Sequence, residues 1–154
     1  MNPNVKIIEE IYNRVKVVNN VKIIEGNIYW NHLELTELPD LSDVIVNGDF
    51  TIGFNKLTSL KGSPKEVKGY FGFAWNNISS FIYMPKHVFT LTCNHNPIKN
   101  LNHIMLDMTG TFNCDQFTDT EYRLYCNIER PKRELLAKLD KESTELFSGI
   151  INSI

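Results

Sequence analysis

Apolar and polar residues alternate in short runs that recur about every 21 residues along the middle of the chain. Phe50 and Ile52 alternate with polar or small neighbours, as do Phe71 and Phe73, and Leu91 and Cys93. A period of two predicts a short strand with one buried face. Each run continues through an Asn (Asn55, Asn76, Asn96), then an apolar pair such as Leu57 and Leu60. Pro64 or Pro85 follows, and Val67 or Val88 closes the unit. A period of this length predicts a solenoid of short coils, each unable to bury its apolar face alone. Stacking the coils sets the strands side by side as a parallel sheet. The Asn column then acquires a physical role, because a buried amide can hydrogen-bond backbone groups of the next coil once these leave water.

The columns extend both ways. Ile28, Trp30, Leu35, Leu38 and Val44 match Phe50, Ile52, Leu57, Leu60 and Val67. Downstream lie Leu91, Cys93, Asn96, Ile98 and Leu101, then a half-unit with Phe112 and Cys114. About four coils fit between Asn27 and Asp115, a short array in which the ends matter. Asn2 as N-cap and Pro3 at the first helical position predict an amphipathic helix with Val5, Ile8, Ile11, Tyr12 and Val15 on its apolar face. The stretch from Lys16 to Ile24, broken by Asn19-Asn20, predicts a hairpin or a lead-in strand. Thr118 and Glu121 form a possible capping box for a short helix to about Cys126. Pro131 then opens a second helix carrying Leu135, Leu136, Leu139, Leu146, Phe147 and Ile150. The expected organisation is one structural domain: cap and lead-in strand at 1–26, coils at 27–117, and a C-terminal helical cap at 118–154 that covers the open end of the stack.

The segment Leu35-Thr36-Glu37-Leu38-Pro39-Asp40-Leu41 and the run Asn55-Lys56-Leu57-Thr58-Ser59-Leu60 resemble the leucine-rich repeat, L-x-x-L-x-L-x-x-N-x-L, in its short bacterial L-T-x-L-P form. The Gly-x-Phe strands followed by Leu-Thr-Ser-Leu turns are also similar to repeat proteins of tailed bacteriophages and bacterial effectors. The resemblance covers residues 27 to 115. It departs where Phe replaces Leu in the core, where Leu33 stands near the Asn column, and where Met105 replaces the proline. It implies an α/β solenoid and a small protein that docks on a host protein, such as a defence factor, and modulates or inhibits it.

Composition narrows the choices further. The chain has 154 residues, 42% apolar and 22% charged, enough for a core. A net charge of −2 gives no sign of a nucleic-acid partner. The basic residues Arg130, Lys132, Arg133 and Lys138 alternate with Glu134, Asp140 and Glu142, the pattern of a solvated helix face. No apolar run is long enough to span a membrane, and no basic n-region precedes an apolar run. The expectation is a cytoplasmic protein, in the host cytoplasm if viral.

Outward-facing strand positions define the candidate partner surface. They include Tyr29, Asp49, Thr51, Tyr70, Thr92, Asn94 and Asn113. The column just before the Asn position adds His32, Phe54, Trp75 and His95, with Gln116 beyond. Tyr and Trp are common energetic anchors of interfaces. Two readings of Phe54 and Trp75 stand, exposed anchors or rim side chains packed on the next coil. The alternative function is a homo-oligomer, possible as a homodimer, or a small-ligand binder using the same aromatic face. Cys93, His95, His103, Cys114 and Cys126 are the raw material for a zinc site or a Cys/His nucleophile pair. However, Cys93 and Cys114 share the register of Ile52 and Phe73 and read as stacked core. With no catalytic or phosphate-binding motif, the expectation is no enzymatic activity, no cofactor and no metal.

Overall fold

The computed structural model describes residues 3–104 and 108–151. Asn2 and Met105 lie outside the described residues, as do the side chains of Val5, Leu146, Phe147 and Ile150. The elements in chain order are α1 (Pro3–Arg14), β1 (Val15–Val18), β2 (Val21–Glu25), β3 (Ile28–Tyr29), β4 (Val44–Asn47), β5 (Phe50–Thr51), β6 (Glu66–Gly72), β7 (Val88–Thr92), β8 (Phe112–Asn113) and α2 (Asp119–Ile151). The chain divides into two compact units, a solenoid ending at Asp119 and a C-terminal unit beginning at Thr120.

β1 and β2 form the expected hairpin, with Val15 opposite Ile24 and Val18 opposite Val21. Asn19 and Asn20 both take positive φ, 50° and 63°. That is the geometry of a two-residue hairpin turn, which Asn accepts readily. β2 then leads into the stack by pairing in parallel with β4.

Each coil bends at a corner that divides its strand in two. One column of segments runs β2, β4, β6, β7, and a second runs β3, β5, β6, β7, β8, all parallel. β6 spans both columns, with a register shift between Val67 and Tyr70 at the bend. Glycine marks this corner for a steric reason: a Cβ on Gly48 would stand 2.6 Å from the backbone of Gly26 in the preceding coil. The register places Ile28 beside Phe50, Phe50 beside Phe71, Phe71 beside Leu91, and Leu91 beside Phe112. All five are buried, as are Trp30, Ile52, Phe73 and Cys93 in the parallel column. The Phe50 and Phe71 rings stack at 5.8 Å. The hydrophobic columns read from sequence are therefore continuous in space. Among the described residues the coils consist of strands, turns and extended segments, with helix only before β1 and after β8.

The asparagines join the coils. Asn55 Nδ2 donates to Trp30 O and Ile52 O at 2.8 and 2.9 Å, and its Oδ1 accepts from the N–H groups of Leu33 and Leu35. Asn76 Nδ2 donates to Ile52 O and Phe73 O, and its Oδ1 accepts from Leu57 N–H. Asn96 Nδ2 donates to Phe73 O and Cys93 O, and its Oδ1 accepts from Ile78 N–H. Each amide reaches back to the preceding coil, opposite to the direction expected. Ile52 O and Phe73 O are each shared by two asparagines, so amides and carbonyls form one unbroken chain through the stack.

Three expectations for the ends need correction. Among the described side chains of α1 the buried residue is Ile7, while Ile8 and Tyr12 are exposed. Polar ties set this rotation: Glu10 accepts from Trp30 Nε1 at 3.0 Å and pairs with Arg14, which donates to Glu25 O and Asn27 O. Pro131 does not open a new helix; α2 is one helix of 33 residues with Pro131 inside it. The proline removes a single intrahelical bond on an exposed stretch, where water satisfies the freed carbonyl. Leu135, Leu136 and Leu139, expected to be buried, are exposed.

Candidate interaction surface

Four successive coils place a ring at the same corner, in the left-handed backbone region. His32, Phe54, Trp75 and His95 have φ of 58°, 54°, 59° and 54°. This region costs an ordinary residue about 1–2 kcal/mol and is the usual place for Gly or Asn. The repeated choice of rings is compensated in part by their mutual contact. His32 stacks on Phe54 at 4.4 Å, Phe54 on Trp75 at 5.6 Å, and Trp75 on His95 at 3.8 Å. Such pairs contribute roughly 0.5–1.5 kcal/mol each beyond area burial. Phe54 and Trp75 pack against rings of the neighbouring coils, yet remain 47% and 49% exposed. Stacking uses the ring faces, so the ridge turns ring edges to solvent.

The end of the ridge is fixed by Asp115, whose Oδ2 accepts from the His95 backbone N–H at 2.8 Å and lies 3.7 Å from Nδ1. Beside the ridge the sheet floor is shallow. A depression of about 290 Å³ is lined by Asn31, Thr51, Gly53, Tyr70, Gly72 and Ala74 together with ridge rings. Thr51 Oγ1 accepts from Asn31 Nδ2 at 2.8 Å.

The other expected surface residues fall into two groups. Tyr29 is 60% exposed, its hydroxyl accepting from Asn27. Thr92 and Asn94 are half-buried and Asn113 exposed, with Asn94 donating to Asn113 at 3.3 Å. Asp49 and Tyr70 are committed to the fold. Asp49 Oδ1 accepts from the Tyr70 N–H at the bend, replacing a ladder bond, and the Tyr70 ring lies over Gly72. Tyr70 is thus half-buried.

Several exposed apolar residues are not evident from the sequence pattern. A second left-handed column, Gly62, Tyr83 and His103, turns Tyr83 outward beside Ile82. A signal for it exists, since these three residues share one repeat position. Phe89 projects from β7. A groove of about 700 Å³ lies between α1 and the first coil, lined by Ile8, Tyr12, Pro39, Leu41 and Val44, with the Lys22–Asp43 ion pair at its rim.

The two stacked cysteines differ sharply. Cys93 is buried, and its thiol is pushed up by sharing its proton with Cys114 and by desolvation. Cys114 is half-buried, and its thiol is pulled down to about 7 by the Cys93 S–H and by the backbone N–H groups of Gln116 and Phe117, against the effect of burial. The stacked-core reading therefore fits Cys93 fully and Cys114 only in part. Among the described residues no group of three or more His, Cys, Asp or Glu is placed to hold a metal ion. No helix among them is long and apolar enough to cross a membrane. Comparison with known protein families, curated proteins and solved structures found no match.

Proposed function

We propose that this protein is a non-enzymatic binding module that docks another protein along the His32–Phe54–Trp75–His95 ridge, with Tyr29 beside it. One observation carries the proposal: four coils in a row hold a large ring in a costly backbone conformation at an exposed corner. Core packing alone does not require this, because the interior columns already bury their own rings. The ridge offers rigid aromatic edges held by the scaffold, and little side-chain entropy is lost when a partner covers them. It carries no acid or base of its own except the two histidines, so apolar contact and hydrogen bonding dominate recognition.

The finer identity follows the resemblance stated above. The coils are a short leucine-rich-repeat-like array of the kind met in tailed phages and bacterial effectors. The partner is a host protein in the cytoplasm, such as a defence factor, whose activity is modulated or inhibited. A second reading, a small ligand seated in the depression floored by Gly53, Gly72 and Ala74, is favoured by that concavity, which lies at the small end of ligand sites, roughly 300–1,000 Å³.

The test compares wild type with a Phe54→Asn, Trp75→Asn double variant, since Asn tolerates the left-handed conformation that Ala would strain. Affinity capture from bacterial lysate identifies prey, and each prey is then titrated against both proteins. A specific prey whose affinity drops at least tenfold in the folded variant supports the ridge. Prey binding equally to both removes it.

A further inference from the structure

The register of the last two coils brings two thiols together inside the solenoid. Leu91 pairs with Phe112 and Thr92 with Asn113, and the next step sets Cys93 beside Cys114, with the Cys93 N–H donating to Asn113 O at 2.9 Å. Neighbouring strands are spaced about 4.8 Å apart, within the range of about 4.4–6.8 Å between Cα atoms that a disulfide spans. The two residues hold one register position on neighbouring strands; the Cys93 S–H points across to the last strand, 3.7 Å from Asn113 O, and it also acts on the Cys114 thiol. Only Cys114 has partial access to solvent. Gln116 is tied to Asn96 O through Nε2 at 2.6 Å, and its Oε1 accepts from the Cys114 S–H at 3.1 Å. The pair is thus a half-buried sulfur backed by a fully buried one.

We propose that Cys93 and Cys114 form a peroxide-sensitive pair, Cys114 the attacking thiol and Cys93 the resolving thiol, which closes to a disulfide joining the last two coils. In the first step the Cys114 thiolate takes the distal oxygen of a hydroperoxide. An S–O bond forms, the O–O bond breaks, and the departing oxygen leaves as alcohol, or as water from hydrogen peroxide, after taking a proton. In the second step the Cys93 sulfur attacks the sulfenic sulfur of Cys114. The S–S bond forms, the S–O bond breaks, and the Cys93 proton leaves with that oxygen as water. Two thiols are oxidised and one hydroperoxide is reduced. The Cys114 thiol, lowered first by the Cys93 S–H and then by the backbone N–H groups of Gln116 and Phe117, supplies the thiolate near neutral pH. The disulfide lies two residues before His95 and one before Asp115, which holds the His95 backbone. The redox state therefore reaches the last rung of the aromatic ridge, although the chemistry does not depend on what that ridge binds.

The full, reduced chain is treated with hydrogen peroxide and followed by intact mass and by peptide mapping without reductant. The expected product has lost two hydrogens, contains a Cys93–Cys114 linked peptide, and retains one titratable thiol, Cys126. In Cys93→Ser, with no resolving thiol, Cys114 is instead trapped by dimedone as the sulfenic acid. Three results would overturn the proposal: an unchanged thiol count in wild type, Cys114 carried on to sulfinic acid with Cys93 still free, or a disulfide that includes Cys126.

Discussion

Replacing Asn76 by Ala removes the central link of the amide chain, and the cost follows from which groups lose their partners. Leu57 N–H donates to Asn76 Oδ1 at 3.0 Å, and with both groups buried it becomes an orphan donor. An unsatisfied buried group costs about 1–3 kcal/mol. Ile52 O and Phe73 O each lose one bond but keep a second, from Asn55 and Asn96. Those two losses add roughly 0.5–1 kcal/mol each. The total is about 2–5 kcal/mol, a large part of the typical domain stability of about 5–15 kcal/mol. Asn55→Ala should cost more, because Asn55 Oδ1 serves two N–H groups, Leu33 and Leu35. Asn77, which is exposed, supplies the control, with an expected change of under about 0.5 kcal/mol. Asn76→Asp separates hydrogen bonding from size. One of its oxygens still accepts from Leu57, but the other faces two carbonyls and must hold a proton. Its pKa is therefore raised in the folded state, so the variant is most stable in acid and loses stability as pH rises through that value. The assay is urea denaturation followed by tryptophan fluorescence. Trp30 and Trp75 both lie in the solenoid, so the signal reports that unit alone. If Asn76→Ala unfolds within about 0.5 kcal/mol of Asn77→Ala, or if Asn76→Asp gains stability with rising pH, the reasoning fails.

The corner glycines give a graded series. Gly48→Ala puts a methyl group against the Gly26 backbone at 2.6 Å, where no side chain can yield, and should cost about 1–3 kcal/mol in the same denaturation experiment. Gly53→Ala meets Ala74 O at 3.2 Å and Asn31 Oδ1 at 3.3 Å, contacts eased by a small shift, so its loss should be clearly smaller. Equal costs at the two sites would show that the coils are not packed as tightly at the bend as the structure places them.

What is legible in the sequence follows from which interactions repeat. Period-two alternation in Phe50/Ile52 and Phe71/Phe73 fixes strand register, because a one-residue slip would turn both rings to solvent. Asn55, Asn76 and Asn96 stand out because only a buried amide satisfies donors and acceptors on two coils together. The hairpin is legible because Asn19-Asn20 suits a tight turn with positive φ. The direction of the asparagine bonds is not, since the repeat reads the same whichever neighbour the amide meets. The left-handed corners are hidden because His32, Phe54, Trp75 and Tyr83 are not residue types that announce such a conformation. The buried face of α1 is hidden for a related reason. Its docking depends on Glu10 meeting Trp30 and Arg14 meeting the β2–β3 bend, long-range polar contacts that helical periodicity does not encode. Pro131 misleads, because a proline that usually stands at the start of a helix here stands inside a continuous one.

The alignment of the rings from coil to coil underlies the proposed recognition surface. Through-space proton NMR contacts between aromatic rings measure it directly. The expected result is a chain of cross-peaks from His32 to Phe54, Phe54 to Trp75, and Trp75 to His95, all retained in dilute solution. If Trp75 shows contacts with neither Phe54 nor His95, the ridge does not exist and the binding role goes with it.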